Sequence, residues 1–146
     1  MVSRKDMDIL AILQENARTS IAEISRQVGL SENGIRYRLE KLEKMGYITS
    51  YTALLNPRKF GKKVTAVFHL NTIPRSTPSV IARLKDMAEL DTIYQTTGNF
   101  SIMATGLFED TEELNAFVTK KLACPGIVDF SFEVVTRKHK EGPFSI

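Results

Sequence analysis

Three features of the sequence predict an α+β chain in two parts, an N-terminal winged helix-turn-helix domain followed by a C-terminal ferredoxin-like βαββαβ domain. The first is a set of three amphipathic helical segments within residues 6–46, the last two separated only by Gly29-Leu30-Ser31. The second is a change of period after residue 63, where β-rich and helical segments run strand, helix, strand, strand, helix, strand. The third is an uneven charge. Residues 1–63 hold 12 Lys/Arg against 7 Asp/Glu, and residues 64–146 hold 8 against 10. The total of +3 says little, but a basic half beside a slightly acidic one suits a polyanion met by the first half alone.

The first helix is expected over residues 6–16, with Met7, Leu10 and Leu13 on one face, widened by Ile9 and Ile12. Asp6 and Asp8 then fall in the first turn, where the helix dipole favours them. Ser20 opens the second helix, with Glu23 three residues on as a capping box and Gly29 as its stop. Ser31 caps the third, which buries Ile35, Leu39, Leu42 and Met45 and ends at Gly46. Residues 47–55 contain β-formers and are expected as a strand or extended arm, which makes the unit winged-helix-like.

Residues 56–63, Asn-Pro-Arg-Lys-Phe-Gly-Lys-Lys, are read as a basic linker, giving domains of 1–55 and 64–138 and a tail of 139–146. In the second domain, strands are expected over residues 64–70, 92–97, 100–108 and 128–135. Gly98-Asn99 lies between the second and third, a dipeptide suited to a tight hairpin. Helices are expected over 78–90, with Val80, Ile81, Leu84 and Met87 inward, and from Asp110/Thr111 to Leu122, with Leu114, Phe117, Val118 and Leu122 inward. Two helices cover one sheet face only, yet the strands are apolar on both: Ile102 and Ala104 oppose Met103 and Thr105, and Phe130 and Phe132 oppose Val135. The bare face calls for a partner, most simply its copy in a homodimer or a higher oligomer.

Function is sought on the third helix, whose N-terminal turns would reach base edges in the major groove of double-stranded DNA. Ser31, Glu32, Asn33, Arg36 and Tyr37 are the candidates for base readout: Arg36 suits guanine, Asn33 adenine and Glu32 cytosine. Arg38, Lys41, Arg18 and Ser20 are candidates for phosphate contacts. A merely solvated helix face would carry similar charges. The capped second helix, the glycine turn and the basic half together favour DNA.

Other classes find less support. A single cysteine, Cys124, excludes an internal disulfide or a Cys-rich zinc site, and it is expected as a small buried residue. No nucleophile–base pair, metal-spaced cluster or phosphate-binding glycine loop occurs, so neither an enzyme nor a cofactor is expected. No apolar stretch is long enough for a membrane span and no leader is evident, so a cytoplasmic location is expected.

The run DILAILQENARTSIAEISRQVGLSENGIRYRLEKLEKMGYITSYTALLNP resembles the N-terminal domain of the Lrp/AsnC (leucine-responsive/asparagine) transcription regulators. TTGNFSIMATGLFED, ELNAFVTKKL and CPGIVDFSFEVV resemble that family's effector-sensing domain, so the likeness runs from about Asp6 to Lys140. The resemblance implies a dimer, tetramer or octamer on pseudo-palindromic DNA, repressing or activating according to operator position. It also implies an amino acid or related metabolite bound near Thr97, Gly98, Asn99, Phe100 and Ser101, facing Phe132 and Val134 of the last strand. Two departures stand out. Phe100-Ser101 replaces the family's Tyr-Asp, and Phe130 and Phe132 stand where threonines are usual. Either a different effector binds, or Glu109, Asp110 or Glu133 supplies the charge that an ammonium needs, or the loop serves assembly alone. Some Lrp-like proteins are sirohaem decarboxylases, but that chemistry needs histidines or basic residues around a tetrapyrrole, and this chain has only His69 and His139. A metabolite-binding assembly module with an idle DNA-binding domain is the other alternative.

Overall fold

Helix α1 (Arg4–Glu15) begins two residues ahead of the expected Asp6, because Ser3 caps it. The Ser3 hydroxyl accepts from the Asp6 amide, and the Asp6 carboxylate accepts from the Ser3 amide, a closed capping box. Helices α2 (Ile21–Val28) and α3 (Glu32–Lys44) start as the sequence indicates, with Ser20 and Ser31 accepting from the amides of Glu23 and Gly34. The Glu23 carboxylate does not close a second box; it bonds Arg26 and Gln27 instead. Gly29 stops α2 in the left-handed region at φ 71°, where a side chain would be strained. The computed structural model describes residues 2–140 and 142, and these fall into two compact units, the first containing the chain up to Leu54 together with Lys140, the second Leu55–His139.

The first unit is held by Ile9, Ile24, Val28 and Ile35, with Ile12, Leu13, Ile21, Leu30 and Leu39 packed around them. The inward face of α1 is therefore centred on Ile9, expected only to widen it; Met7, expected on that face, is exposed, as is Met45 at the end of α3. Residues 47–55, expected as a strand or extended arm, form no strand: the chain bends at Tyr47, and the only described sheet is built from β-strands of the second unit. The segment is anchored at its start by the amides of Tyr47 and Ile48, which donate to the Leu42 carbonyl, and by the Tyr51 hydroxyl, which donates to Glu43 (2.7 Å).

In the second unit a 3-10 turn (Pro57–Phe60) leads into β1 (Val64–Thr72), α4 (Thr77–Lys85), β2 (Leu90–Gln95), β3 (Ile102–Phe108), α5 (Thr111–Phe117) and β4 (Ile127–Val134). The strands lie in the order β2-β3-β1-β4, all antiparallel, which is the ferredoxin-like arrangement. Helix α4 stops five residues short of the expected end, since Leu90 already pairs with Gly106 in the sheet. Asp110 caps α5, which continues through a π turn (Val118–Leu122). The segment read as a linker is not free: Lys62 bonds the Glu113 carboxylate at 3.1 Å. Of the tail, residues 141 and 143–146 lie outside the described residues.

Alternation along the strands builds the core. Ala66, Phe68 and Leu70 of β1, with Ile102, Ala104 and Phe108 of β3, meet Val80, Leu84, Leu114 and Phe117 of the helices. Phe68 sits at the centre, with ring centroids 6.1 Å from Phe108, 5.5 Å from Phe117 and 6.0 Å from Phe132. Each such pair contributes about 0.5–1.5 kcal/mol beyond its buried area. Cys124, expected buried, is only half-buried.

Candidate nucleic-acid interface and effector loop

Helix α3 divides cleanly by period. Ile35 and Leu42 are buried, while Glu32, Asn33, Arg36, Tyr37, Glu40 and Lys41 are exposed. Tyr37, at 68% exposure, is too open to be a packing residue. Arg36 lies 3.8 Å from Glu32, one turn earlier, an exposed contact weak enough to yield to a better partner. Two predicted hydroxyls are already engaged: Ser31 and Ser20 accept the amides of Gly34 and Glu23 as caps. Arg18 is exposed, just after the turn in which its amide donates to the Asn16 side chain.

Arg38 is the exception among the predicted phosphate contacts. It shares the inward stripe with Ile35 and Leu42, and its Nη1 donates to Asp6 Oδ1 at 2.6 Å and to Ser3 Oγ at 3.1 Å. The other Asp6 oxygen accepts from the Ser3 amide (2.9 Å) and hydroxyl (2.7 Å). Asp6 is only 7% exposed. Burial pushes its carboxyl up, but the Ser3 hydrogen bonds and the Arg38 guanidinium outweigh that and hold it at about 2. Ser25 also escaped sequence reasoning. Its hydroxyl donates to the Leu30 carbonyl while its own carbonyl accepts from Gly29 and Leu30, which ties the turn that enters α3. The spacing Ser3-x-x-Asp6 was the signal for the first network; nothing in the sequence marks Ser25.

The connection between β2 and β3 is not a two-residue hairpin. Gly98 and Asn99 do not adopt positive φ, which such a turn would need, and the ladder ends at Gln95 and Ile102. Residues 96–101 form a longer loop, closed by the Thr96 amide donating to the Ser101 carbonyl (2.9 Å). Thr97, Gly98 and Asn99 are exposed, whereas Phe100 packs on His69 with ring centroids 5.4 Å apart.

Ser101 is held by β1. Its hydroxyl accepts from the Thr72 amide (3.1 Å), donates to the Leu70 carbonyl (3.2 Å) and joins a hydroxyl chain through Thr72 (3.0 Å) to Thr77 (2.7 Å). Its amide donates to Asn71 Oδ1 (3.2 Å).

The expected facing residues do not join this loop within one chain. Phe132 pairs with Phe68 at mid-sheet and belongs to the core, and Val134 pairs with Ala66 beyond it. The β4 residue level with the loop is Asp129, opposite Asn71. Of the carboxylates expected to serve the loop, Glu109 is 3.9 Å from Lys62 and Asp110 caps α5, both past the opposite end of β3, while Glu133 pairs with Val67 at mid-sheet. Among the described residues no cluster could hold a metal ion, and no helix is long and apolar enough to cross a membrane.

The sheet face turned away from the helices carries Val67, His69, Met103, Thr105 and Leu107 on its two central strands, Tyr94 on the edge strand β2, and Asp129, Ser131 and Glu133 along β4. Tyr94 is 55% exposed, and the aliphatic members are half-buried.

A helix-turn-helix with an open, charged third helix, followed by a ferredoxin-like unit, defines a DNA-binding protein with a separate regulatory domain. Comparison with known proteins agrees: residues 2–49 match the family model for a winged helix-turn-helix DNA-binding domain, and residues 65–143 that for the Lrp/AsnC ligand binding domain. The chain belongs to the Lrp/AsnC family of transcription regulators. It is 36% identical over 122 residues to the HTH-type transcriptional regulator Ptr1 of Methanocaldococcus jannaschii, covering 84% of this chain and 82% of that one. Among solved structures, AsnC of E. coli superposes with a TM-score of 0.93 at 26% identity, covering 99% and 98% of the two chains. A transcriptional regulator of Neisseria meningitidis in complex with L-methionine gives 0.93 at 26% identity, covering 97% and 94%.

Proposed function

We propose that this regulator acts as a homodimer or higher oligomer that sets two copies of α3 in successive major grooves and reads sequence with Asn33, Arg36 and Tyr37. The observation that carries the reading is the exposure of those side chains and of Lys41 on a helix whose other face is buried by Ile35 and Leu42. Glu32 holds Arg36 loosely in the free protein and is itself placed to accept from cytosine. Lys41 and Arg18 are assigned to phosphates. Ser31 and Ser20 act first as helix caps, and Arg38 is not assigned to a phosphate.

Self-association is assigned to the sheet face bearing Val67, Met103 and Leu107, an apolar centre with a polar margin. A small metabolite of the amino-acid class is assigned to the loop of residues 97–101, supported by the L-methionine complex of the Neisseria relative. Asp129, level with that loop, is the candidate counter-charge for an ammonium group in place of Glu109, Asp110 or Glu133.

The test is an operator selected from random duplex DNA by the full chain. Arg36→Ala is expected to cost about 1–3 kcal/mol and relax preference at one base pair. Lys41→Ala is expected to weaken all sequences alike and reduce the salt slope by roughly one. Selection that yields no preferred sequence, or an Arg36→Ala protein that binds the operator as tightly as wild type, would remove α3 or Arg36 from the reading role.

A further inference from the structure

We propose that Asp6 and Arg38 form a positioning pair that sets the rotation of α3 about its own axis, so that Arg38 acts in DNA recognition through Asp6 and not through a phosphate. The inference rests on the DNA-reading role of α3 and adds a specificity-determining pair outside the reading face.

Periodicity places the pair. Asp6 precedes Ile9 and Leu13 at helical spacing on α1, and Arg38 lies between Ile35 and Leu42 at the same spacing on α3. Both side chains thus occupy the stripe that meets the core, one layer from the buried Ile9 and Ile35. The core these helices share is aliphatic, Ile9 and Ile24 with Val28 and Ile35, and because the hydrophobic effect is non-directional it leaves small rotations of α3 open. A directed ion pair does not: Arg38 Nη1 meets Asp6 Oδ1 at 2.6 Å, and both carboxylate oxygens are already engaged. Turning α3 by one residue would carry the guanidinium away and leave a 7%-exposed carboxylate without its cation. The register of the helix is then specified electrostatically, as a single buried polar residue specifies register in a coiled coil.

The consequence for recognition is geometric. Ile35 and Arg38 point inward and Asn33, Arg36 and Tyr37 outward from the same helix, so any rotation of the inner stripe displaces the outer one by the same angle. Base-edge hydrogen bonds tolerate little displacement, whereas phosphate contacts made by flexible lysines tolerate more.

The experiment compares Asp6→Asn, Arg38→Gln and the double variant on the selected operator and on a scrambled duplex, across a salt series. Each single variant is expected to lose about tenfold in operator affinity, and the double no more than either single. The scrambled duplex should bind as before with an unchanged salt slope. Arg38→Lys, whose ammonium reaches the carboxylate without its fork, should recover part of the loss. Melting curves show whether the N-terminal unit is folded at the assay temperature. If Asp6→Asn unfolds it, Arg38→Lys and Arg38→Gln decide through the salt slope.

A slope reduced by about one for Arg38→Gln, with Asp6→Asn binding as wild type, would make Arg38 a direct phosphate contact and overturn the proposal. Additive losses in the double variant would overturn it as well. A wild-type protein that selects no sequence would refute the DNA-reading role beneath it, a failure seen before any variant is made.

Discussion

Ser101→Ala removes one oxygen at the start of β3, and its cost can be worked from the hydrogen bonds. The β1–β3 ladder ends at the Leu70–Ile102 pair, so the Thr72 amide lies beyond the last β3 carbonyl and relies on the Ser101 hydroxyl at 3.1 Å. Removing the hydroxyl also breaks its bond to the Leu70 carbonyl and detaches the chain through Thr72 to the buried Thr77. A half-buried amide left unpaired costs about 1–3 kcal/mol. Taking about 2 kcal/mol, and roughly 4–8 °C per kcal/mol for a domain of this size, the second unit should melt about 10 °C lower. Calorimetry measures this, and amide exchange locates it: protection should fall at Thr72 and at residues 96–102 while the α3 amides keep theirs. A melting temperature within one or two degrees of wild type would mean that water replaces the hydroxyl without loss, and the clamp on the loop would have to be discarded.

Other expectations follow the same logic. The Asp6 carboxyl is held at about 2, below its ordinary 3.8, so its contribution is fully present above about pH 4 and is lost as pH falls toward 2. The contribution is about 2 kcal/mol before solvent screening; urea melts of Asp6→Asn should be flatter than wild type across that window, and parallel curves would contradict the pairing. Gly126→Ala should cost roughly 2–3 kcal/mol, because φ is +97° and a Cβ would lie 2.9 Å from Ser76 Cβ and 3.0 Å from Val80 Cγ2. Gly29→Ala, at φ +71° with open space around it, should cost only about 1 kcal/mol, so equal losses in denaturant titrations would refute the role of crowding at Gly126.

Most elements were legible because their signals are local. Ser20, Ser31 and Asp110 mark helix starts, since the hydroxyl or carboxylate and the amide it accepts are three residues apart. Alternation in residues 102–108 is visible as soon as Ile102, Ala104 and Phe108 are set against Met103 and Leu107. Structure departs from local signal where a non-local partner competes. Helix α4 was expected to reach residue 90, but Leu90 is taken by its pairing with Gly106. The Gly98-Asn99 dipeptide suggested a tight turn, but the pull of Ser101 toward β1 leaves a six-residue loop instead.

The candidate site divides the same way. The exposed face of α3 follows from a period of 3.6 residues, so Asn33, Arg36, Tyr37 and Lys41 could be named from the sequence together with the helix that carries them. Periodicity also puts Arg38 on the inward stripe, yet an arginine reads as a surface residue until its partner is known. That partner, Asp6, is 32 residues away on another helix, and no spacing rule connects them. The loop of residues 97–101 could be located, but not the use of the Ser101 hydroxyl by β1 or the alignment of Asp129 with Asn71. Caps and periods depend on neighbours a few residues apart and are written in the order of the chain. Ion pairs between helices and strand register depend on where distant segments stop against one another, which packing alone decides.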